Sequence, residues 1–295
     1  MSTYVLSCCS TADLAKEHFQ DRDIHYICFH YELNGKEYSD DLGISMPFDS
    51  FYAVLKTGAE TKTSQINSEE FKAYFEPFLA KGLDILHVCL SSGISGVINS
   101  ARIARAELRE IYPEREILIL DSLGASSGYG LLMDRLADLR DMGKTITETY
   151  AWAVSHRLNL QHWFFSSDLS FYIKGGRISR TAGTVGGILS ICPLLNVDRS
   201  GQLVLRCKIR TKKKVIQAIV DRMAEAADDG SNYSGKCYIS QSDCYADAQE
   251  VARLVEARFP NLDGKVEINH IGTVIGSHTG PGTVALFFWG AERTS

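Results

Sequence analysis

The stretch Asp84-Ile85-Leu86-His87-Val88-Cys89-Leu90-Ser91-Ser92-Gly93-Ile94-Ser95-Gly96 decides the fold. Its first part is a mostly apolar run of strand length, closed by a Ser/Gly turn. Ile94 to Tyr112 then reads as a long helix. The rhythm repeats, with Glu116 to Leu120 as a strand and Tyr129 to Asp141 as a helix. Thr145 to Leu158 is a further helix. Strands alternating with helices predict a parallel sheet covered on both faces. Ligands of such sheets bind at the carboxyl ends of the strands. Two loops fall there, Ser91 to Gly96 and Asp121-Ser122-Leu123-Gly124.

Upstream, Tyr4 to Cys9 is a short buried strand. Ser10-Thr11-Ala12-Asp13 looks like a helix start, a hydroxyl cap with an acid three residues on. Ile24 to Leu33 reads as a strand, Asn34-Gly35 as a hairpin dipeptide, and Lys36 to Tyr38 as the second arm. Pro47 to Thr57 is a helix opened by Ser45 and closed by Gly58. Glu69 to Lys81 is another, ended by Gly82.

The character changes near residue 160. Strands are expected at Gln161–Ser167, Gln202–Ile209, Lys236–Ser240, Val266–Ile271 and Thr283–Trp289. Helices are expected at Leu169–Lys174, Thr211–Ala227 and Ala246–Phe259. Gly183 to Ser190 is a small-residue segment suited to close packing. A chain of 295 residues suggests two domains, here 1–160 and 161–295.

Composition narrows the function. Hydrophobic residues make up 45% and charged residues 23%, an ordinary globular balance. The net charge of −5 argues against nucleic-acid binding by bulk electrostatics. Eight cysteines occur without C-x-x-C or zinc-type Cys/His spacing, so no metal is expected. They read as small buried hydrophobes in a reducing cytoplasm. No basic-then-apolar leader opens the chain. The longest charge-free stretch, Ile268 to Gly290, is broken by turn residues and does not read as a membrane span.

Four polar segments could carry chemistry. Thr63-Ser64-Gln65 precedes a helix cap at Asn67 or Ser68. Ser91 to Gly96 joins a strand to a helix start, where hydroxyls and unpaired amides favour an anion. Tyr172 to Ser179 holds Lys174-Gly175-Gly176-Arg177, without P-loop or G-x-G-x-x-G spacing. Gly272 to Gly282 surrounds His278 with glycines, which predicts a turn-rich loop. Separately, Lys208 to Lys214 holds five basic residues in seven, including Arg210. Cations at a helix start are mildly unfavourable, which hints at an anionic partner.

Taken together these segments resemble the DegV family of bacterial fatty-acid-binding proteins. The matching pieces are Ser10 to Leu14, Thr63 to Gln65, Ser91 to Gly96, Asp121-Ser122, Lys174 to Ser179, and Gly276 to Gly282. They occur in the family order across nearly the whole chain. The resemblance implies an N-terminal three-layer α/β domain with a mainly parallel sheet and a C-terminal two-layer α/β domain with a mixed sheet. It implies a long-chain fatty acid as ligand, no cofactor and no catalytic residue. A separate fatty acid kinase would phosphorylate the bound carboxylate. By motif position, Thr63 and Ser95 would bond the carboxylate and His278 would complete the network. Ser64 and Ser92 would sit in the same shell, and Arg210 would lie near the kinase-docking surface. The sequence departs from the pattern at Cys9, Ile66 and Val97, where the family has Asp, Pro and Thr.

A competing expectation is a hydrolase using Ser95 as nucleophile and His278 as base. The G-x-S-x-G elbow is absent and no acid is evident to orient His278.

Overall fold

The computed structural model describes residues 4–179 and 191–295. The Gly183–Ser190 segment lies outside the described residues. The first half contains β1 (Tyr4–Cys9), α1 (Lys16–Asp21), β2 (Ile24–Ile27), β3 (His30–Leu33), β4 (Lys36–Ser39) and α2 (Phe48–Lys56). It continues with β5 (Thr61–Ser64), α3 (Ser68–Leu79), β6 (Asp84–Cys89), α4 (Val97–Ile111), β7 (Ile117–Asp121), α5 (Ser127–Asp141) and α6 (Ile146–His156). The described part of the second half contains β8 (Leu160–Ser166), α7 (Ser170–Lys174), β9 (Ile191–Val197), β10 (Leu203–Arg210) and α8 (Lys212–Ala226). It ends with β11 (Tyr238–Gln241), α9 (Tyr245–Arg258), β12 (Glu267–His270), α10 (Thr273–Thr279) and β13 (Thr283–Trp289).

The alternating strands form the expected parallel sheet, ordered β2-β1-β6-β7. β1 is buried at every position and β6 at all but Asp84, as strands covered on both faces must be. α3 and α4 pack together beside β6 and β7, while α5 and α6 pack together beside β1, β6 and β7. The second sheet is mixed, ordered β10-β9-β8-β13-β11-β12, and only β11 and β12 run parallel. α8 and α9 pack on this sheet. β4-β3-β5 is a small antiparallel sheet.

α5 touches β1 on one side and β8, β11 and β13 on the other, so it lies between the two main sheets. Twelve of its fifteen residues are buried, which is why its apolar positions run around the helix instead of down one stripe. Its buried Asp134 is offset by Lys236 Nζ at 2.6 Å and His18 Nε2 at 3.2 Å. Those partners stand on either side of it, so the carboxylate joins the two halves.

Several local expectations are corrected. Ser10 to Ala12 is a 3-10 turn, and α1 starts only at Lys16. Ser10 Oγ donates to Asp40 (2.8 Å) and accepts from the Phe29 amide (3.1 Å), so tertiary partners take the hydroxyl that would have capped a helix. Ile24 to Leu33 is two strands in different sheets, interrupted at Cys28-Phe29. The Asn34-Gly35 hairpin forms, with φ of 51° and 80°. Pro47, not Ser45, occupies the position before α2. β9 was not foreseen, and it fills the gap between β8 and β10. Among the described residues no helix is long and apolar enough to cross a membrane.

Candidate functional site

A cavity of about 520 Å³ lies between the parallel sheet and the mixed sheet. Most of its wall is apolar, with Phe29, Leu90 and Ile94 from the first half and Phe164, Val197 and Phe287 from the second. Thr63, Ser92, Ser95, Arg177 and His278 also line it. These polar residues come from four separate segments. Thr63 is on β5, Ser92 and Ser95 are in the loop between β6 and α4, Arg177 follows α7, and His278 is in the last turn of α10.

The glycine-rich segment around His278 is therefore a helix, not a loop. Three contacts explain it. Gly276 presses on the ring of Tyr52, where any Cβ would overlap the phenol oxygen. Gly280, at φ 66°, ends the helix in a backbone shape that suits glycine. Buried Asp40 caps the start, accepting from the Thr273 amide (3.1 Å) and hydroxyl (2.6 Å). The glycines serve close packing and termination, and read in isolation they mimic turn punctuation.

The His278 ring is held at both nitrogens. Nε2 lies 2.8 Å from Thr63 Oγ1, and Nδ1 lies 3.3 Å from an Arg177 guanidinium nitrogen. A guanidinium only donates, so Nδ1 accepts, and the ring proton sits on Nε2. Nε2–H then donates to Thr63, which leaves the Thr63 hydroxyl hydrogen free to donate elsewhere. Burial and the Arg177 charge both oppose an imidazolium, and the ring pKa falls to about 4. His278 is neutral at physiological pH, so this tautomer is stable. Arg177 is itself pushed down by burial, and it also donates to the Gly175 carbonyl at 2.6 Å.

The Ser91–Gly96 loop is tied down from several directions. Ser91 Oγ donates to the Gly201 carbonyl across the interface (2.8 Å). Asp121 Oδ1 accepts from the Ser92 amide (3.1 Å) and the Leu123 amide (3.0 Å). Ser95 Oγ accepts from the Val97 amide at 3.3 Å, so its hydrogen remains available. α4 starts at Val97 rather than Ile94. The Ser92, Gly93, Ile94, Ser95 and Val97 amides are already paired, so hydroxyls rather than this run of amides face an incoming anion.

The structure thus brings Thr63, Ser92, Ser95 and His278 to one cavity. It does not bring Ser64 there. Residues on a strand alternate between faces, and Ser64 follows Thr63 on the exposed side of β5. Arg210 is exposed at the last position of β10, away from the cavity wall. Of the basic run, Lys212 pairs with Asp247 at 2.8 Å. Among the polar lining residues to which sequence assigned no role are Gln65 and Arg177. For Arg177 the signal was present in Gly175-Gly176-Arg177, but the segment alone reads as a helix stop with a solvated charge.

The geometry gives the hydrolase no footing. His278 engages Thr63 and Arg177, its Nδ1 faces a cation where a triad needs a carboxylate, and a ring titrating near 4 is a weak base at neutral pH. Among the described residues no group of three or more His, Cys, Asp or Glu side chains is arranged to hold a metal ion.

Two packed sheets, a helix wedged between them and a largely apolar cavity of small-molecule size define the protein as α/β with a candidate ligand site. The chain belongs to the DegV family. The family profile, described as an uncharacterised protein of the DegV family, matches residues 9–290. A DegV domain-containing protein of Clostridium perfringens is 37% identical over 293 residues, covering 99% of each chain. Another, from Lactococcus lactis, is 31% identical and covers 97% of each. Among solved structures, a DegV lipid binding protein from Thermotoga maritima is 26% identical with a TM-score of 0.83, covering 99% of this chain and 100% of that one. The fold also matches the Streptococcus pneumoniae Fatty Acid Kinase (Fak) B3 protein loaded with linoleic acid. That match has 21% identity, a TM-score of 0.84, and covers 98% of this chain and 100% of the other.

Proposed function

We propose that this protein binds a long-chain fatty acid and presents its carboxylate to a separate fatty acid kinase. The observation that carries the reading is the cavity itself, about 520 Å³, apolar along most of its wall with Thr63, Ser95 and His278 at its polar end. Its size falls within the roughly 300–1,000 Å³ of small-molecule sites. Burying an acyl chain of about 15 methylenes is worth on the order of 12 kcal/mol gross, much of it offset by ordering costs. The Thr63 and Ser95 hydroxyls donate to the carboxylate, with Ser92 at the exposed rim. The solved relatives, one described as a lipid binding protein and one as loaded with linoleic acid, support this reading. On this reading the protein leaves the bound fatty acid chemically unchanged. The kinase would dock on the surface that includes Arg210, and acyl phosphate would be its product.

The test is the lipid content of protein purified from a bacterial host, measured by mass spectrometry after denaturation. About one long-chain fatty acid per chain is expected. Finding none, with no uptake of added palmitate or oleate, refutes the reading. The kinase step is tested separately with kinase, ATP and loaded protein. Arg210→Ala should lower acyl phosphate formation while leaving lipid content unchanged.

A further inference from the structure

Outside the cavity, the described residues hold a buried row of sulfur atoms at the carboxyl ends of the parallel strands. Cys9 ends β1 and Cys89 ends β6. The two strands are adjacent and parallel, and Cys8 pairs with Val88, so the register sets Cys9 beside Cys89. Neighbouring residues on parallel strands face the same side, so the two thiols project side by side. His87 Nε2 lies 3.7 Å from Cys9 Sγ. The other ring nitrogen, Nδ1, is 2.9 Å from Ser7 Oγ, which is 2.9 Å from Tyr74 Oη. A thiol, an imidazole and two hydroxyls thus form one contact chain. The fatty-acid reading uses none of it.

We propose that Cys9 and Cys89 are an oxidisable dithiol, with Cys9 the attacking sulfur, Cys89 the resolving sulfur, and a small hydroperoxide the oxidant. The electrostatics separate the two roles. Burial opposes a Cys9 thiolate, but the hydrogen bonds from Cys89 and His87 outweigh it and draw the Cys9 pKa below that of an ordinary thiol. Burial pushes Cys89 well above it, and the neighbouring Cys9 adds to that. Of the two sulfurs, Cys9 is the easier to deprotonate. Cys28 lies one residue beyond Ile27, the partner of Cys9 across β1 and β2. It is only half-buried, so the row approaches solvent at one end. Cys9 and Cys89 are themselves fully buried, and hydrogen peroxide, little larger than water, enters by local opening of the strand ends.

The steps balance. The Cys9 thiolate attacks one peroxide oxygen, an S–O bond forms, and the O–O bond breaks. The departing hydroxide takes a proton from the His87 side and leaves as water. Cys89 then attacks the sulfenic sulfur, an S–S bond forms, the S–O bond breaks, and the Cys89 proton leaves with the second water. Two thiols lose two electrons and one peroxide gains them. The closed link would tie the Ser10 turn to the loop that carries Ser92 and Ser95.

The experiment treats the reduced full-length protein with hydrogen peroxide and maps non-reduced peptides by mass spectrometry. The expected product has lost two hydrogen atoms, joins the Cys9 and Cys89 peptides, and reverts with a reductant. Cys89→Ser should stop at a Cys9 sulfenic acid captured by dimedone. Cys9→Ser should give neither product, and Cys28→Ser should leave the link intact. A link from Cys9 to Cys28, or all eight thiols still alkylatable after peroxide, overturns the proposal. Because the dimedone result on Cys89→Ser needs no disulfide geometry, it decides the role of Cys9 even where a strand-end variant alters packing.

Discussion

Thr63→Val is the sharpest perturbation of the proposed site. Valine keeps the shape and strand preference of threonine, so β5 should hold. It removes only the hydroxyl, which accepts from His278 Nε2 at 2.8 Å and has its own hydrogen to give to a carboxylate. Hydrogen bonds to charged groups contribute about 1.5–3 kcal/mol. At about 1.36 kcal/mol per decade, that predicts roughly 10- to 150-fold weaker fatty-acid binding. The lower end applies where the freed Nε2–H turns to the carboxylate. The assay is equilibrium binding of labelled palmitate to delipidated protein, with the urea midpoint as a folding control. Ser64→Ala on the outer face of the same strand should stay within about twofold, as exposed substitutions do. Palmitate affinity of Thr63→Val within twofold of the parent, or an equal loss in Ser64→Ala, refutes the assignment of the hydroxyl.

Three further outcomes follow from the packing. Asp40→Ala should cost about 2–3 kcal/mol in urea unfolding, because it uncaps α10 and leaves Ser10 Oγ and Thr273 without their acceptor. It should also lower palmitate retention, since α10 carries His278. Gly128→Ala should cost about 1–3 kcal/mol by chemical denaturation, because a Cβ there overlaps the His162 ring and meets Phe287 at 2.7 Å. His18 gives a pH signature. Burial alone would lower its pKa, but Asp134 and Glu267 outweigh burial and raise it to about 9. A raised pKa means the stabilisation is complete below the ordinary value of 6.5 and is lost as pH climbs towards 9. The stability difference between the parent and His18→Gln should be flat from pH 5 to about 6.5 and shrink above it. A difference that grows with pH would refute the pairing.

The parallel sheet was legible because its strands are continuous apolar runs with helices between them, and both signals are local. Thr63, Ser92, Ser95 and His278 were legible by resemblance, and the fold shows why they converge. Three features were not legible. α10 hid behind its glycines, of which Gly276 packs on Tyr52 and Phe51, more than two hundred residues away in sequence. Ser64 was grouped with Thr63 because a motif ignores the alternation of a strand. Ser10 was read as a cap because its partner, Asp40, sits thirty residues downstream. The α10 and Ser10 misreadings share one cause, a local preference overridden by a distant contact, whereas Ser64 is a matter of strand alternation alone.

On the proposed reading, the arrangement at the polar end bears on what kind of hold the carboxylate would have. Neutral hydroxyls hold a carboxylate less firmly than an arginine pair would, which suits a carboxylate that must be handed over. The structure supplies a cation but places it behind the ring. Arg177 spends donors on the Gly175 carbonyl and on His278 Nδ1. Burial, with the Arg177 charge, keeps His278 neutral, and the donated hydrogen bond to Nδ1 leaves the ring proton on Nε2. The ring passes that polarisation to Thr63, whose hydroxyl hydrogen becomes a better donor in a hydrogen-bonded chain. On the proposed reading, the carboxylate then meets hydroxyl hydrogens rather than a guanidinium fork. Its oxygens stay nucleophilic and open at the rim formed by Ser92, which is what transfer of a phosphoryl group to them requires. A direct Arg–carboxylate pair would bind more tightly and would cover the same oxygens. Arg177→Lys, which keeps charge but loses the planar donor to Nδ1, should therefore weaken palmitate binding, because the ring proton is no longer fixed on Nε2. If palmitate affinity were unchanged in that variant, the guanidinium would act as a remote charge only, and the relay through His278 would be wrong.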